Sequence, residues 1–194
     1  MDNYLELKIP INESTKQIIA QLEDILARNE KRDFTKMKSG DRFFYHGMEW
    51  IYLGMEQGGA LCITAECYKE MPFDKEGRNN WNVSSLKEEL NSDFLNKLNK
   101  KDLKSFEMDL VADNGDDAYG TSTQYVGILS CDQYRKYRKV IPLFDEWMWT
   151  CTPWYCCPNL SSANRVRLVG TGGSLSYSGA RYSYGVVPAC VFCC

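Results

Sequence analysis

Nine cysteines, a single histidine and several carboxylates are the side chains of this sequence with reactive chemistry to offer. The cysteines are Cys62, Cys67, Cys131, Cys151, Cys156, Cys157, Cys190, Cys193 and Cys194. Cys190-x-x-Cys193 has the spacing of a metal or redox pair, and Cys151 could add a zinc donor. Adjacent cysteines, as in Cys156-Cys157 and Cys193-Cys194, chelate one metal poorly, and a chain end tends to fray. An odd cysteine count without a secretory leader makes a disulfide framework a poor expectation, so small buried thiols are expected instead. His46 precedes Gly47 between two apolar runs and reads as a turn residue. Asp113, Asp116 and Asp117 could present oxygens to calcium, but no Glu stands where an EF-hand loop needs one, and a solvated loop is expected. The chain has no Gly-x-Ser-x-Gly elbow and no acidic residue after Glu146. General acid–base groups would have to come from elsewhere. No catalytic residue, metal site or cofactor is therefore expected.

The C-terminal stretch has a different chemistry. From Tyr155 to Cys194 there is no Lys, Glu, Gln, Met or Trp, although residues 1–154 hold 14 Lys, 13 Glu, 5 Gln, 7 Met and 5 Trp. Buried strands disfavour Lys and Glu, which accounts for Val186, Val187, Val191 and Phe192. It does not account for the polar, aromatic run Ser174 to Tyr184. Tyrosine offers large rigid contact area at low entropic cost, while Ser and Gly adapt. Arg165, Arg167 and Arg181 add planar donors that also stack. The composition is that of a binding surface.

The elements that must position this surface read as α+β. Residues 1–33 form a helical appendage. Ser14 and Gln17 are spaced as a capping box, and Ile11, Thr15, Ile18, Leu22, Ile25 and Asn29 repeat at heptad spacing. Such a helix either packs on its own domain or joins copies of the chain, and two or three heptads are marginal alone. Residues 34–194 form the main domain. Strands are expected at Asp41–Tyr45, Met48–Gly54, Ala60–Ala65, Phe106–Val111, Val126–Ser130 and Gly185–Phe192. Residues 79–105 are expected to be helical, with Ser85 and Glu88 as a capping box and a break at Asn91-Ser92-Asp93. A short helix follows over Asp132–Lys139, with Asp132 as its cap. Asp113–Thr123 reads as a polar loop.

Several segments, in this order, resemble a domain family of unknown function common in Firmicutes and their prophages. They are Gly40-Asp41-Arg42-Phe43 with Glu49-Trp50, Phe73 with Asn79-Asn80-Trp81, Ser84-Ser85-Leu86 with Leu90-Asn91, Asp132 to Tyr137, Asp145 to Trp154, and Gly185 to Phe192. The resemblance covers about residues 34–192. It implies a C-type-lectin-like fold close to the formylglycine-generating-enzyme subtype, with two helices packed on small antiparallel sheets. It also implies a variable protein of a diversity-generating retroelement, in which template adenines are miscopied into the 3′ end of the gene. An AAC codon then becomes NNC, which cannot encode Lys, Glu, Gln, Met or Trp. By this resemblance the variable positions are Tyr155, Cys156, Cys157, Asn159, Ser161, Ser162, Asn164 and Arg165, with Ser176, Tyr177, Ser178, Gly179, Arg181, Tyr182 and Tyr184. Trp147, Trp149, Pro153, Val166, Gly173, Leu175, Gly185 and Pro188 would be scaffold. Val187 stands where the family has an Arg. The Glu-Pro-Asn and Trp-Asn-Asp signatures of sugar-binding C-type lectins are absent.

The function expected is therefore non-enzymatic display of a diversified surface, binding a protein or glycan on a cell. Tyr155, Tyr177, Tyr182, Tyr184 and Arg181 are the expected anchors. The alternative is a cysteine-based metal or redox protein related to the formylglycine-generating enzymes. A net charge of −3 argues against nucleic-acid binding. No run of about 18 apolar residues exists to cross a membrane. The opening residues lack a secretory pattern, so synthesis in the cytoplasm is expected, with the product carried on a virion or a cell surface.

Overall fold

His46 and Gly47 both take left-handed backbone, with φ of 49° and 75°, and fold the strand Arg42–Tyr45 back onto the strand Met48–Glu56 as a tight hairpin. Gln57 and Gly58 repeat the device at φ 48° and 73° and return the second strand to a third, Gly59–Thr64. The computed structural model describes Ser14, Lys16, Gln17 and residues 32–156 and 163–194. The chain divides into the units Met1–Arg32 and Asp33–Cys194. Ser14, Lys16 and Gln17 are helical. The heptad positions expected of the first unit lie outside the described residues.

In chain order the strands are β1 (Arg42–Tyr45), β2 (Met48–Glu56), β3 (Gly59–Thr64), β4 (Lys69–Pro72), β5 (Leu103–Lys104), β6 (Phe106–Asp109) and β7 (Thr121–Gln124). They continue as β8 (Val126–Gly127), β9 (Met148–Pro153), β10 (Arg165–Val169), β11 (Leu175–Gly179), β12 (Ser183–Val186) and β13 (Ala189–Phe192). The α-helices are α1 (Ser85–Glu89) and α2 (Cys131–Tyr137). One sheet is ordered β1-β2-β3-β13-β5, with β8 also on β13. A second is ordered β11-β10-β9-β12-β4, and β6 pairs β7 as a ribbon. All pairings are antiparallel except β9 with β12. The described part of the unit Asp33–Cys194 is thus α+β, built of small antiparallel and mixed sheets with two α-helices.

The central strands β3 and β13 are buried along their whole length, which is why both read as continuous apolar runs. Phe192 ends β13 among the rings of Phe34, Phe43, Tyr45 and Trp50, at centroid distances of 5.0–5.7 Å. The single strand expected over Gly185–Phe192 is in fact two, one in each sheet. Pro188 lies between them and has no N–H for a ladder, while its carbonyl accepts from Thr64 N at 3.1 Å.

The helical segment departs from expectation in three ways. Ser84, not Ser85, caps α1, accepting from Lys87 N at 3.1 Å; Ser85 Oγ instead accepts from Lys75 N. The helix also runs through Asn91-Ser92-Asp93 as a π turn, Leu90–Phe94. Asn91 Nδ2 and Ser92 Oγ donate back to the carbonyls of Lys87 and Glu88, a local bonding pattern that bends a helix without ending it. Beyond Lys97 the expected helix gives way to one short 3-10 helix, Lys100–Asp102, and then β5. In α2 the cap is Ser130, in a full capping box with Gln133, and Asp132 lies inside the first turn, paired with Arg135. The expected polar loop yields its end to β7, and the strand expected over Val126–Ser130 is confined to β8. No described helix is long and apolar enough to cross a membrane.

Candidate binding surface

Strand β11 forms one border of the second sheet, and among the described residues only β10 pairs with it. Every residue of β11 is partly or fully exposed. Its register with β10 sets Tyr177 opposite Arg167 and Gly179 opposite Arg165. Residues directly opposite share a face, so Arg165, Arg167 and Tyr177 project together. Trp154, just beyond β9, reaches the same face: its ring lies 4.1 Å from that of Tyr177. Arg165 stacks over Tyr177 at 5.0 Å and Arg167 over Trp154 at 4.4 Å. The result is a row running Arg165, Tyr177, Trp154, Arg167. Such cation–π contacts contribute roughly 0.5–1 kcal/mol each when exposed. Asp113 ends the row by pairing with Arg167, and Arg135 lies 4.0 Å from the same carboxylate. Tyr182 adds a second exposed ring, which lies over the bare backbone of Gly179, where a side chain would crowd it. Tyr177 and Tyr182 are 42% and 66% exposed.

The alternation of β11 turns Ser176 and Ser178 to the opposite face. There Ser178 Oγ lies 3.0 Å from Tyr184 Oη. Tyr184 packs edge-on against Trp149 at 5.1 Å and lies 6.4 Å from Trp147. Tyr184 is thus half buried against scaffold, whereas Trp147, expected to be scaffold, is 41% exposed. The expected site is therefore split over two faces of one sheet border.

Asn79 holds the base of the surface. It is buried, and its Nδ2 donates to the carbonyls of Tyr155 at 2.9 Å and Arg165 at 3.1 Å. Its Oδ1 accepts from Tyr119 Oη at 2.7 Å. Asn164 is exposed, with its carbonyl accepting from Ala180 N. Arg181 crosses to the loop before α1 and donates to the Glu76 carbonyl at 3.0 Å. Cys156 departs from the expected exposed surface: it is buried, with its thiol 3.3 Å from the Asp116 carbonyl. Cys157, Asn159, Ser161 and Ser162 lie outside the described residues. Val166, Trp149, Gly185 and Pro188 are buried as scaffold should be. Val187 is buried in an apolar pocket with Ile63, Phe144 and Met148.

The thiols proposed for metal or redox chemistry are dispersed. Cys151 is in the second sheet and Cys190 in the first, opposite Cys62. Cys193 is exposed at the end of the chain. Burial pushes the Cys62, Cys131, Cys151, Cys156 and Cys190 thiols up, away from the reactive thiolate. Among the described residues no three His, Cys, Asp or Glu side chains converge as a metal site.

Sequence reasoning missed Trp154, because the unusual segment was bounded by the absence of Trp. It also left Asp113 in a solvated loop, where the only available signal was an acidic residue without a partner in sequence. No protein-family model, curated protein or solved structure shows significant similarity to this chain.

Proposed function

We propose that this protein is a non-enzymatic binder whose ligand surface is the β10–β11 border, with Tyr177, Tyr182, Arg165 and Arg181 as its main contacts. The observation that carries this is the row Arg165–Tyr177–Trp154–Arg167, exposed at Arg165 and Tyr177 and half-buried at Trp154 and Arg167, with exposed Tyr182 beside it. Aromatic and arginine side chains held rigid by one another lose little freedom on binding, which is why they dominate hot spots. The fold proposed for the main unit is C-type-lectin-like, and the surface is proposed to be diversified by a retroelement. Two features support diversification. The missing residue types after Trp154 match an NNC restriction. Nine of the described candidate positions, Tyr155, Asn164, Arg165, Ser176, Tyr177, Ser178, Gly179, Arg181 and Tyr182, are partly or fully exposed and outside the core. The ligand class proposed is a protein or glycan on a cell, reached from a virion or from a cell surface. Self-association through the first unit is part of the proposal.

The test is a library in which these nine positions are randomised together, displayed and challenged with protease. Most members should stay folded and resistant. A library as fragile as one randomised at Trp149, Val166 and Leu168 would show that the border is structural and would end the proposal.

A further inference from the structure

We propose that β11 accepts an extended acidic peptide as an added strand, an inference that rests on the β10–β11 border being a ligand surface. The two borders of the second sheet are treated differently. The far border, β4, carries Lys69, Glu70 and Pro72, and charges and proline on an edge strand discourage further pairing. The near border, β11, reads Leu-Ser-Tyr-Ser-Gly, with no charge and no proline. Among the described residues no strand lies beyond it. One side-chain contact reaches its backbone, from Arg167 Nη1 to the Ser176 carbonyl at 3.5 Å, the limit of a hydrogen bond, and the following turn takes the Gly179 carbonyl, which accepts from Tyr182 N at 3.1 Å. The rest of the edge offers main-chain donors and acceptors to an incoming strand, with alternate side chains read by flanking pockets.

Charge selects the occupant. Residues 147–194 contain three arginines and no Lys, His, Asp or Glu, so their side chains sum to +3 in a chain of net −3. Arg165 and Arg181 have no carboxylate within ion-pair distance among the described residues, while Arg167 is already paired with Asp113. Arg138 lies against Gly173, at the entry to β11, and stacks at 5.6 Å on Tyr134. Three uncompensated guanidiniums therefore flank the edge, at its start, at the Gly179 end and in the following turn. A second copy of the same edge would bring like charges together, so a partner rich in Asp or Glu fits and self-pairing does not. Tyr177 and Tyr182 would cover alternate side chains of the added strand on one face.

The experiment is selection of short random peptides on the whole purified protein, followed by N-methylation of each selected peptide in its two alternating backbone registers. The proposal expects selected peptides rich in Asp and Glu, a loss of at least about tenfold in affinity on N-methylation in one register only, and slowed amide exchange at residues 175–179. Neutral or basic binders, equal tolerance of N-methylation in both registers, or no enriched peptide would each overturn strand addition. The underlying surface is read separately: binders insensitive to both Tyr177→Ala and Arg165→Ala would contradict it. Binders that need those residues but ignore N-methylation would preserve the surface and remove the added strand.

Discussion

Trp154 and Tyr177 bring their rings within 4.1 Å of each other across β10, outside the core and between two arginines. This contact turns three neighbouring strands of one sheet into a single presenting surface. Its energetic role and its binding role can be separated by substitution.

Tyr177→Ala should cost no more than about 1 kcal/mol, the scale of a stacked aromatic pair near the surface. Tyr182→Ala should cost about 0.5 kcal/mol or less, as surface changes do. Trp149→Ala, by contrast, removes a buried ring and should cost about 3–5 kcal/mol. Urea unfolding of the three variants checks the order.

Asn79→Ala should be as harmful as a core truncation although it removes no apolar contact. It leaves the carbonyls of Tyr155 and Arg165 short of a donor and the Tyr119 hydroxyl without its acceptor. A loss of about 2–4 kcal/mol is expected, since each buried group left unpaired costs roughly 1–3 kcal/mol. Tyr119→Phe should cost less, about 1 kcal/mol. Thermal unfolding of both variants distinguishes them.

Asp74 predicts part of the acid sensitivity. Burial alone would raise its pKa, but donors from the Arg78 side chain and from the backbone of Arg78 and Ser85 outweigh burial and hold it below the 3.8 of an ordinary Asp. A depressed carboxylate stabilises the fold fully above that ordinary value and loses its contribution as pH falls through the folded pKa. Asp74→Asn should therefore destabilise the protein at neutral pH by about 1–3 kcal/mol. It should also flatten the decline of stability below about pH 4. An unchanged acid limb in a pH series of urea midpoints would contradict this.

The cysteines give a further outcome. Cys62, Cys131, Cys151, Cys156 and Cys190 should resist alkylation in the native protein and react together on unfolding, because all five are buried. Cys193 and Cys194, which are exposed, should react at once. Mass spectrometry after timed iodoacetamide labelling reads this directly. Fast native labelling of Cys151 or Cys190 would favour the cysteine-based alternative.

Local signals in the sequence carried well where one residue decides the geometry. His46-Gly47 marked the first hairpin because two left-handed residues in succession have few other uses. The apolar runs Ala60–Ala65 and Val191-Phe192 marked strands, and β3 and β13 are buried along their whole length. Non-local features were illegible. Nothing in Gly185–Phe192 says that its halves join different sheets; that depends on where Thr64 meets Pro188. Asn91 and Ser92 look like breakers, and only their bonds to Lys87 and Glu88 keep the helix going. At the surface, composition singled out the run Ser174–Tyr184 but not that residues 175–179 of it form β11. It could not find the partition of Tyr177 and Tyr184 onto opposite faces, which follows from register. Nor could it find Asn79, whose two acceptors are distant in sequence.

Diversification of the ligand surface through its gene would leave a record in the neighbouring DNA, and sequencing that DNA is the deciding measurement. A near-copy of the codons for residues 147–192 is expected there, with its differences at template adenines, next to a reverse-transcriptase gene. The changed codons should include those for Tyr177, Tyr182, Arg165 and Arg181 and spare those for Trp149, Val166 and Leu168. Flanking DNA with no such repeat, or a repeat whose differences fall on the buried codons, would contradict it.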